Sequence, residues 1–509
     1  MRSPAELGFP SKFKSWRPNQ EAACQSILET KERFLIQACP TGFGKSLAYM
    51  AAALESGTRV AILTSTKGLQ TQLVRDFGKM KGVVDIRGRM NYQCRLNTKV
   101  SCDTGVCVFG VKCPMKEEGG CFYYDQLRAA LSARVVITNY AYWMAQNEYS
   151  EGLGEFGMLI LDEAHSAPDH LLNHVAVTFG KSDWNNRILE LGDSLPTNYM
   201  GWKIWAEDKL HDVKMAIETA KVERKEKKFL GLKKLEQKLG RITDFIDSSW
   251  LWEDNPGEVS LTPTWPAPFS EHILFTGVRK IVLTSATVVA KTAALLGIRG
   301  GKSEEYPHEF PVENRPLIHV PSVNMNWRNG EAEHRVWLMK MDQIIRDRVG
   351  TKGIIHTVSY ARRDMVLDRS KYGEFMVTHN RLNTEATVRA FKRSDPPSIL
   401  VSPSMATGWD FPYDECRWQI IIKLPYPDMR GEIMRVRGRK DSDYINYLVS
   451  QQLIQATGRG VRAKDDWCET FVIDNNVVWF IPQNRHLMLS WFTEAYRKSN
   501  VVPKPPDRG

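Results

Sequence analysis

The stretch Phe34 to Ser46, FLIQACPTGFGKS, restricts the fold of this chain more than any other. Phe34 to Ala38 is an apolar run of strand length. Pro40, Gly42 and Gly44 interrupt any regular element. Leu47 to Leu54 then resumes in Ala and Leu, both good helix formers. A strand, a glycine loop and a helix N-terminus turn backbone N–H groups toward one point, where the helix dipole favours an anion. Pro40, Thr41, Gly42, Phe43 and Gly44 are therefore expected to wrap a phosphate chain. Lys45 would reach its β- and γ-phosphates, and the Ser46 hydroxyl would ligate Mg²⁺. The pattern departs from G-x-x-x-x-G-K-[ST] at one place, because Cys39 stands where the first Gly belongs.

With 509 residues the chain exceeds one ordinary core, so two to four domains are expected. No apolar run is long enough to cross a bilayer, and the N-terminal MRSPAELGFPSKFKSW lacks the apolar core of a signal peptide. The expected location is the cytoplasm, at the nucleoid, with no membrane partner. A net charge of +10 favours a polyanionic partner.

Further apolar strands recur along the chain, and several end in chemically useful residues. Arg59 to Leu63 ends in Thr64-Ser65-Thr66-Lys67, hydroxyls and a cation suited to a nucleic-acid backbone. Val135 to Thr138 precedes Asn139-Tyr140. Met158 to Leu161 delivers Asp162-Glu163-Ala164-His165. Two adjacent carboxylates at a strand end, downstream of a phosphate loop, read as a metal holder (Asp162) and a base for an attacking water (Glu163). Upstream, Gln20 opens a helical pattern, and its amide can both donate to and accept from an adenine edge. From Ser166 to about Pro268 a mostly helical pattern carries Trp184, Trp202, Trp205, Trp250, Trp252 and Trp265. Within it, Lys221 to Arg241 holds nine basic residues around Phe229, Leu232, Leu235 and Leu239 at helical spacing. Lys280 to Leu283 resumes the strands and ends in Thr284-Ser285-Ala286-Thr287. A second alternating pattern has strands at 317–320, 353–356, 398–402, 419–423 and 470–474, which predicts another parallel sheet. It contains no second glycine loop with a Lys. It does carry Gly408 and Asp410, then Gln455, Arg459 and Arg462. The two arginines share a helix face and are placed to act on a γ-phosphate across a cleft.

Five of the nine cysteines, Cys94, Cys102, Cys107, Cys113 and Cys121, fall in a segment with little apolar periodicity. Such a segment needs a staple other than a core. Thiolates suit zinc or iron–sulfur, and the usual zinc knuckle C-x₂-C is absent here, so a 4Fe–4S cluster is favoured over zinc.

These motifs stand in helicase order. RPNQ resembles the Q-motif, CPTGFGKS motif I, TSTKGLQTQL motif Ia and DEAH motif II. TSAT is similar to motif III, ATGWDF to motif V and QATGRGVR to motif VI. The chain thus resembles the superfamily 2 DNA helicases of the XPD/DinG family, from Arg17 to about Asp474. GRMNYQC and CFYYDQLRAALSARVVITNY resemble that family's iron–sulfur domain. The resemblance implies four cluster cysteines of the five: Cys94, Cys113, Cys121 and either Cys102 or Cys107, with Cys107 fitting the compact spacing slightly better.

The implied architecture is α/β, two RecA-like parallel-sheet domains with two insertions in the first. Residues 1–84, 126–168 and 269–300 would form the first domain, 85–125 the iron–sulfur insertion and 169–268 a helical arch-like insertion. Residues 301–500 would form the second domain and 501–509 a disordered tail. The implied activity is an ATP-dependent DNA helicase moving 5′→3′, a monomer acting on single-stranded and forked duplex DNA, with ATP, Mg²⁺ and the cluster as cofactors. Two alternatives remain: an RNA helicase of the same superfamily, or a zinc-type nucleic-acid-binding module with a degenerate ATPase, which Cys39 would favour.

Overall fold

The computed structural model describes residues 2–184, 189, 195–223, 225–380, 382–403 and 409–506. Two seven-stranded parallel sheets form its body. The first contains β1 (Phe34–Ala38), β2 (Val60–Thr64), β3 (Val83–Asp85), β4 (Val135–Asn139) and β5 (Met158–Asp162). The chain then leaves this sheet and builds β6 (Val177–Gly180), β7 (Trp250–Asn255) and β8 (Glu258–Pro263). It returns with β9 (Lys280–Ser285) and β10 (Lys302–Glu305). The spatial order is β10-β1-β9-β5-β2-β4-β3, which sets the phosphate-loop strand beside β9 and β9 beside the DEAH strand β5.

Apolar runs make these strands because both faces of a parallel sheet are covered. The period of two divides each run between two cores. Leu35, Val60, Ile62, Ile137 and Ile160 pack beneath the helices Gln20–Glu29, Lys45–Glu55 and Lys67–Phe77. Ile36, Ala61, Leu63, Leu159 and Leu161 enter the opposite core, which runs on into the insertions.

The second sheet holds β11 (Leu317–Val323), β12 (Gly353–His356), β13 (Met376–Thr378), β14 (Ile399–Ser402), β15 (Trp418–Ile421), β16 (Glu469–Asp474) and β17 (Tyr496–Lys498). Their order is β13-β14-β12-β15-β16-β11-β17. The two-sheet α/β architecture expected from the sequence is present, and each long apolar strand lies within three residues of its expected place.

The apolar pattern of the sequence does not reveal the four edge strands β3, β10, β13 and β17. They are three or four residues long and partly polar, as in Lys302-Ser303-Glu304-Glu305, and only a neighbouring strand makes them β. The pairing of β10 with β1 joins residues 302–305 to the first sheet.

The arch-like insertion contains more than helices. Its two long helices, Tyr199–Val222 and Glu226–Phe245, pack against each other beside the antiparallel sheet β6-β8-β7. Phe229, Leu232, Leu235 and Leu239 are buried in that pairing, which leaves the neighbouring lysines of the basic run outside. Trp202, Trp205 and Trp252 meet at ring distances of 5.4 and 6.4 Å and join helices to sheet. A buried ion cluster fastens the insertion to the first domain: Arg241 donates to Glu148 (Nη2–Oε2 3.1 Å), and His174 lies 2.5 Å from the same carboxylate. No helix among the described residues is long and apolar enough to cross a membrane.

Candidate active site

Residues 40–46 follow β1 and turn into the helix Lys45–Glu55. Gly42 and Gly44 take φ of 82° and 73°, a region that disfavours any side chain. Space forbids one as well. A Cβ on Gly42 would stand 2.4 Å from the Phe310 ring, and one on Gly44 would stand 2.4 Å from Gln20 Nε2. Cys39 needs no such freedom. It prolongs β1, its N–H donates to the Ser285 carbonyl at 3.0 Å, and its thiol is buried in the core and pushed up to about 12. The missing first Gly therefore leaves the loop intact.

Gln20 is placed against the loop itself. Its Nε2 donates to the carbonyls of Phe43 (2.7 Å) and Gly44 (3.2 Å), and its Oε1 accepts from Arg17 N (2.9 Å). Both amide protons are spent on the loop backbone, so in this conformation Gln20 braces the phosphate loop and has none left for an adenine. Gln70, in the motif Ia segment, is likewise internal, donating to the Ile86 carbonyl at 3.0 Å. Thr66 caps its helix by accepting from Leu69 N at 3.2 Å.

Lys45 is ion-paired with Glu163 and lies 3.6 Å from Asp162 Oδ1. Burial opposes its charge, but Glu163 and Asp162 outweigh that, and its pKa is raised. Asp162 is 3% exposed; burial pushes its carboxyl up, against the pull of Lys45. Burial pushes Glu163 the same way, yet Lys45 and the Ser285 hydrogen bond win, and it is held below the usual carboxylate range. Asp162 Oδ1 is buried with no hydrogen-bond donor, an acceptor suited to a hard cation together with the Ser46 hydroxyl. Glu163 sits at φ 51°, a strained position for a non-glycine residue and one that recurs at functional sites.

The second domain supplies the other wall. Thr41, Lys45, Ser46, Asp162 and Glu163 face Gln455, Gly458, Arg459 and Arg462 across one cleft of about 650 Å³. Arg459 donates to the Trp409 carbonyl at 2.8 Å, and burial lowers its pKa to about 10. Arg462 is ion-paired with Asp410. Each guanidinium keeps an Nε–H without a partner. Gly408 lies outside the described residues.

Residues far apart in sequence connect the two walls. Gln455 Nε2 donates to His165 Nε2 at 2.5 Å, which leaves the proton on Nδ1 to donate to Ser285 Oγ at 2.7 Å. Ser285 Oγ in turn donates to Glu163 Oε2 at 3.3 Å. Burial holds His165 neutral, at about 4, as this chain requires. The strand-end motifs pointed to His165 and Ser285 without assigning them a role. Arg17, read only as part of RPNQ, also lines the cleft, as does Trp491, which carried no signal in the sequence.

The cysteine segment places Cys94, Cys102, Cys113 and Cys121 at 8%, 4%, 5% and 7% exposure, with Cys107 half-buried. Cys102 neighbours Cys121 and Cys94; Cys107 neighbours Cys113 and Cys121. Burial and those thiols push Cys102 up to about 12. Among the described residues no three Cys, His, Asp or Glu side chains surround a single metal-ion position.

Comparison with known proteins agrees with this geometry. The DEAD/DEAH box helicase family matches residues 17–179, and the helicase C-terminal domain family matches residues 347–495. The chain is 26% identical over 248 residues to the ATP-dependent DNA helicase YoaA of Escherichia coli, 37% of this chain and 38% of that protein. It is 26% identical over 226 residues to the 3'-5' exonuclease DinG of Staphylococcus haemolyticus, 33% of this chain and 24% of that one. The match thus spans well under half the length of these curated relatives. Among solved structures, an XPD helicase superposes with a TM-score of 0.66 at 14% identity, over 95% of this chain and 100% of that one.

Proposed function

Since the chain belongs to the XPD/DinG-type superfamily 2 helicases, we propose that it is an ATP-driven DNA helicase that moves along one strand and parts the duplex ahead of it. The observation that carries this reading is the single cleft on which Lys45, Asp162 and Glu163 converge with Arg459 and Arg462 from the other sheet.

The loop amides and Lys45 would take the phosphates, with Lys45 exchanging its carboxylate partners for phosphate oxygens. Ser46 and Asp162 would hold Mg²⁺, whose charge offsets that developing on the phosphoryl oxygens. Glu163, kept ionised by its surroundings, would accept the proton of the attacking water. Arg459 and Arg462 would bring their unpaired N–H groups to the γ-phosphate as the cleft closes. Closure and opening would shift the grip of the two domains on a single strand. The family likeness supports 5′→3′ polarity, forked DNA as substrate and a place in the cytoplasm at the nucleoid.

What supports an iron–sulfur cluster is the donor chemistry, five thiols in one segment with little other core, four of them buried. The four buried residues, Cys94, Cys102, Cys113 and Cys121, would hold it, which sets Cys102 ahead of the Cys107 that spacing favoured. Its contribution would be structural, stiffening the insertion.

Glu163→Gln tests the motor reading. The variant should bind ATP as the parent does and hydrolyse it at least about a hundredfold more slowly on single-stranded DNA. Turnover near that of the parent would remove Glu163 from the chemistry and the cleft from its role.

A further inference from the structure

Behind the catalytic cleft, on the far side of the His165–Gln455 contact, lies a second cavity of about 190 Å³. Elements from both domains wall it. The helix Tyr444–Thr457 of the second domain contributes Tyr444, Tyr447, Gln451 and Gln455, successive turns of one face. The helix after the DEAH residues contributes Asp169, and the chain leaving the arch-like insertion contributes Trp265. The Trp265 ring stands edge-on to Tyr444, with centroids 5.1 Å apart.

The chemistry of this wall is selective. No Lys or Arg lines it, and the nearest guanidinium, Arg437, stands against Tyr444 with its Nε and Nη2 committed to the Thr264 and Pro263 carbonyls at 2.8 and 3.1 Å, so a phosphate finds no free fork of donors in the wall. Aromatic rings offer a stacking surface, while glutamine amides and a carboxylate offer donors and acceptors together. That combination suits a neutral, planar heterocycle. Gln451 sharpens the requirement. It is 7% exposed, it lines the cavity, and neither its amide oxygen nor its amide nitrogen has a hydrogen-bond partner. The Tyr447 hydroxyl of the same wall is engaged elsewhere, with Thr292 Oγ1 at 2.9 Å. A buried primary amide left unmet is costly, and a donor set beside an acceptor is what relieves it. Nucleobase edges present that pair.

We propose that this cavity receives one unstacked nucleobase of the single strand on which the motor moves, met by the Gln451 amide edge and by Asp169 beside the Trp265 ring. The proposal rests on the reading of the chain as a DNA motor. It adds a consequence for coupling. Gln455 belongs to the same helix face and donates to His165, and the chain continues through Ser285 to Glu163. A base seated between the two domains therefore bears on the helix face that reaches the hydrolytic carboxylate. Unstacking a base costs least where the strand is already single.

The test uses the full chain and an oligodeoxynucleotide carrying 5-iododeoxyuridine, irradiated and mapped by mass spectrometry. The expected result is a cross-link at Trp265 or Tyr444. Gln451→Leu should lower its yield about tenfold, the order for losing a two-point base contact, and leave cross-links elsewhere unchanged. Asp169→Asn, which keeps the shape of the side chain and removes its charge, should change which neighbouring base gives the best yield. Bound oligonucleotide whose cross-links all lie elsewhere overturns the proposal and leaves the motor reading standing. Free 5-iododeoxyuridine cross-linking to Trp265 or Tyr444, with no strand cross-link there, overturns the strand as the source of the base. A chain that binds no single-stranded DNA at all overturns the motor reading itself, so the two failures are distinguishable.

Discussion

Gly458 offers a perturbation whose effect is confined to the gap between the two domains. It caps the helix Tyr444–Thr457 at φ −78° and ψ 3°, a conformation open to alanine, so Gly458→Ala strains nothing locally. The added Cβ would, however, stand 2.8 Å from Thr41 Cγ2 and 3.2 Å from Thr41 Oγ1, across the cleft on the phosphate loop. Ordinary contact begins at 3.4 Å, so the Thr41 side chain, or the wall that carries it, must give by about 0.6 Å. A 1 Å misplacement of reacting groups costs on the order of a hundredfold, so about tenfold in kcat is expected, with little change in KM. The assay is steady-state ATP hydrolysis on saturating single-stranded DNA, with thermal unfolding alongside to show an unchanged Tm. Thr41→Ser removes the closer atom and should restore most of the lost rate in the double variant. Parental turnover in Gly458→Ala, or a loss that Thr41→Ser does not relieve, would refute the idea that this contact sets the closed spacing.

Two further predictions concern the insertions. Cys107→Ser should retain about four irons per chain when purified without oxygen, whereas Cys102→Ser should lose iron and sulfide together; the reverse pattern would restore Cys107 to the ligand set. Burial raises the Glu148 carboxyl, but hydrogen bonds from His174 and Arg241 more than offset this and hold it below its ordinary 4.5. Its contribution to stability is therefore present above pH 4.5 and lost as pH falls through the depressed value. Glu148→Gln should cost about 1–3 kcal/mol at neutral pH, and its Tm should converge on that of the parent under acid. A gap that stays constant from pH 7 to below 4.5 would show that the carboxylate charge contributes nothing to the docking.

The surroundings of a catalytic side chain are less legible than the side chain itself. Lys45, Ser46, Asp162 and Glu163 stand at strand ends or in a glycine loop, where a few adjacent residues specify backbone and chemistry together. The partners that set their charge and orientation come from elsewhere: Gln455 is 290 residues from His165, and Lys45 is 118 from Glu163. Gln20 was readable as an amide near the nucleotide. Its engagement with Phe43 and Gly44 appeared only when the helix Gln20–Glu29 was packed against the loop. The five cysteines were readable as a group, but their ranking by exposure needed the packing around them.

By itself the sequence determined the strands that are buried on both faces, since an apolar run such as VAILT has one stable use, and it determined the loop that follows β1. Tertiary structure alone decided the edge strands, the small antiparallel sheet of the arch-like insertion, and the pairing of Arg462 with Asp410 and of Gln455 with His165. Each of these depends on a partner surface that local sequence does not encode, because a polar strand or an exposed arginine acquires its role only from what is brought against it.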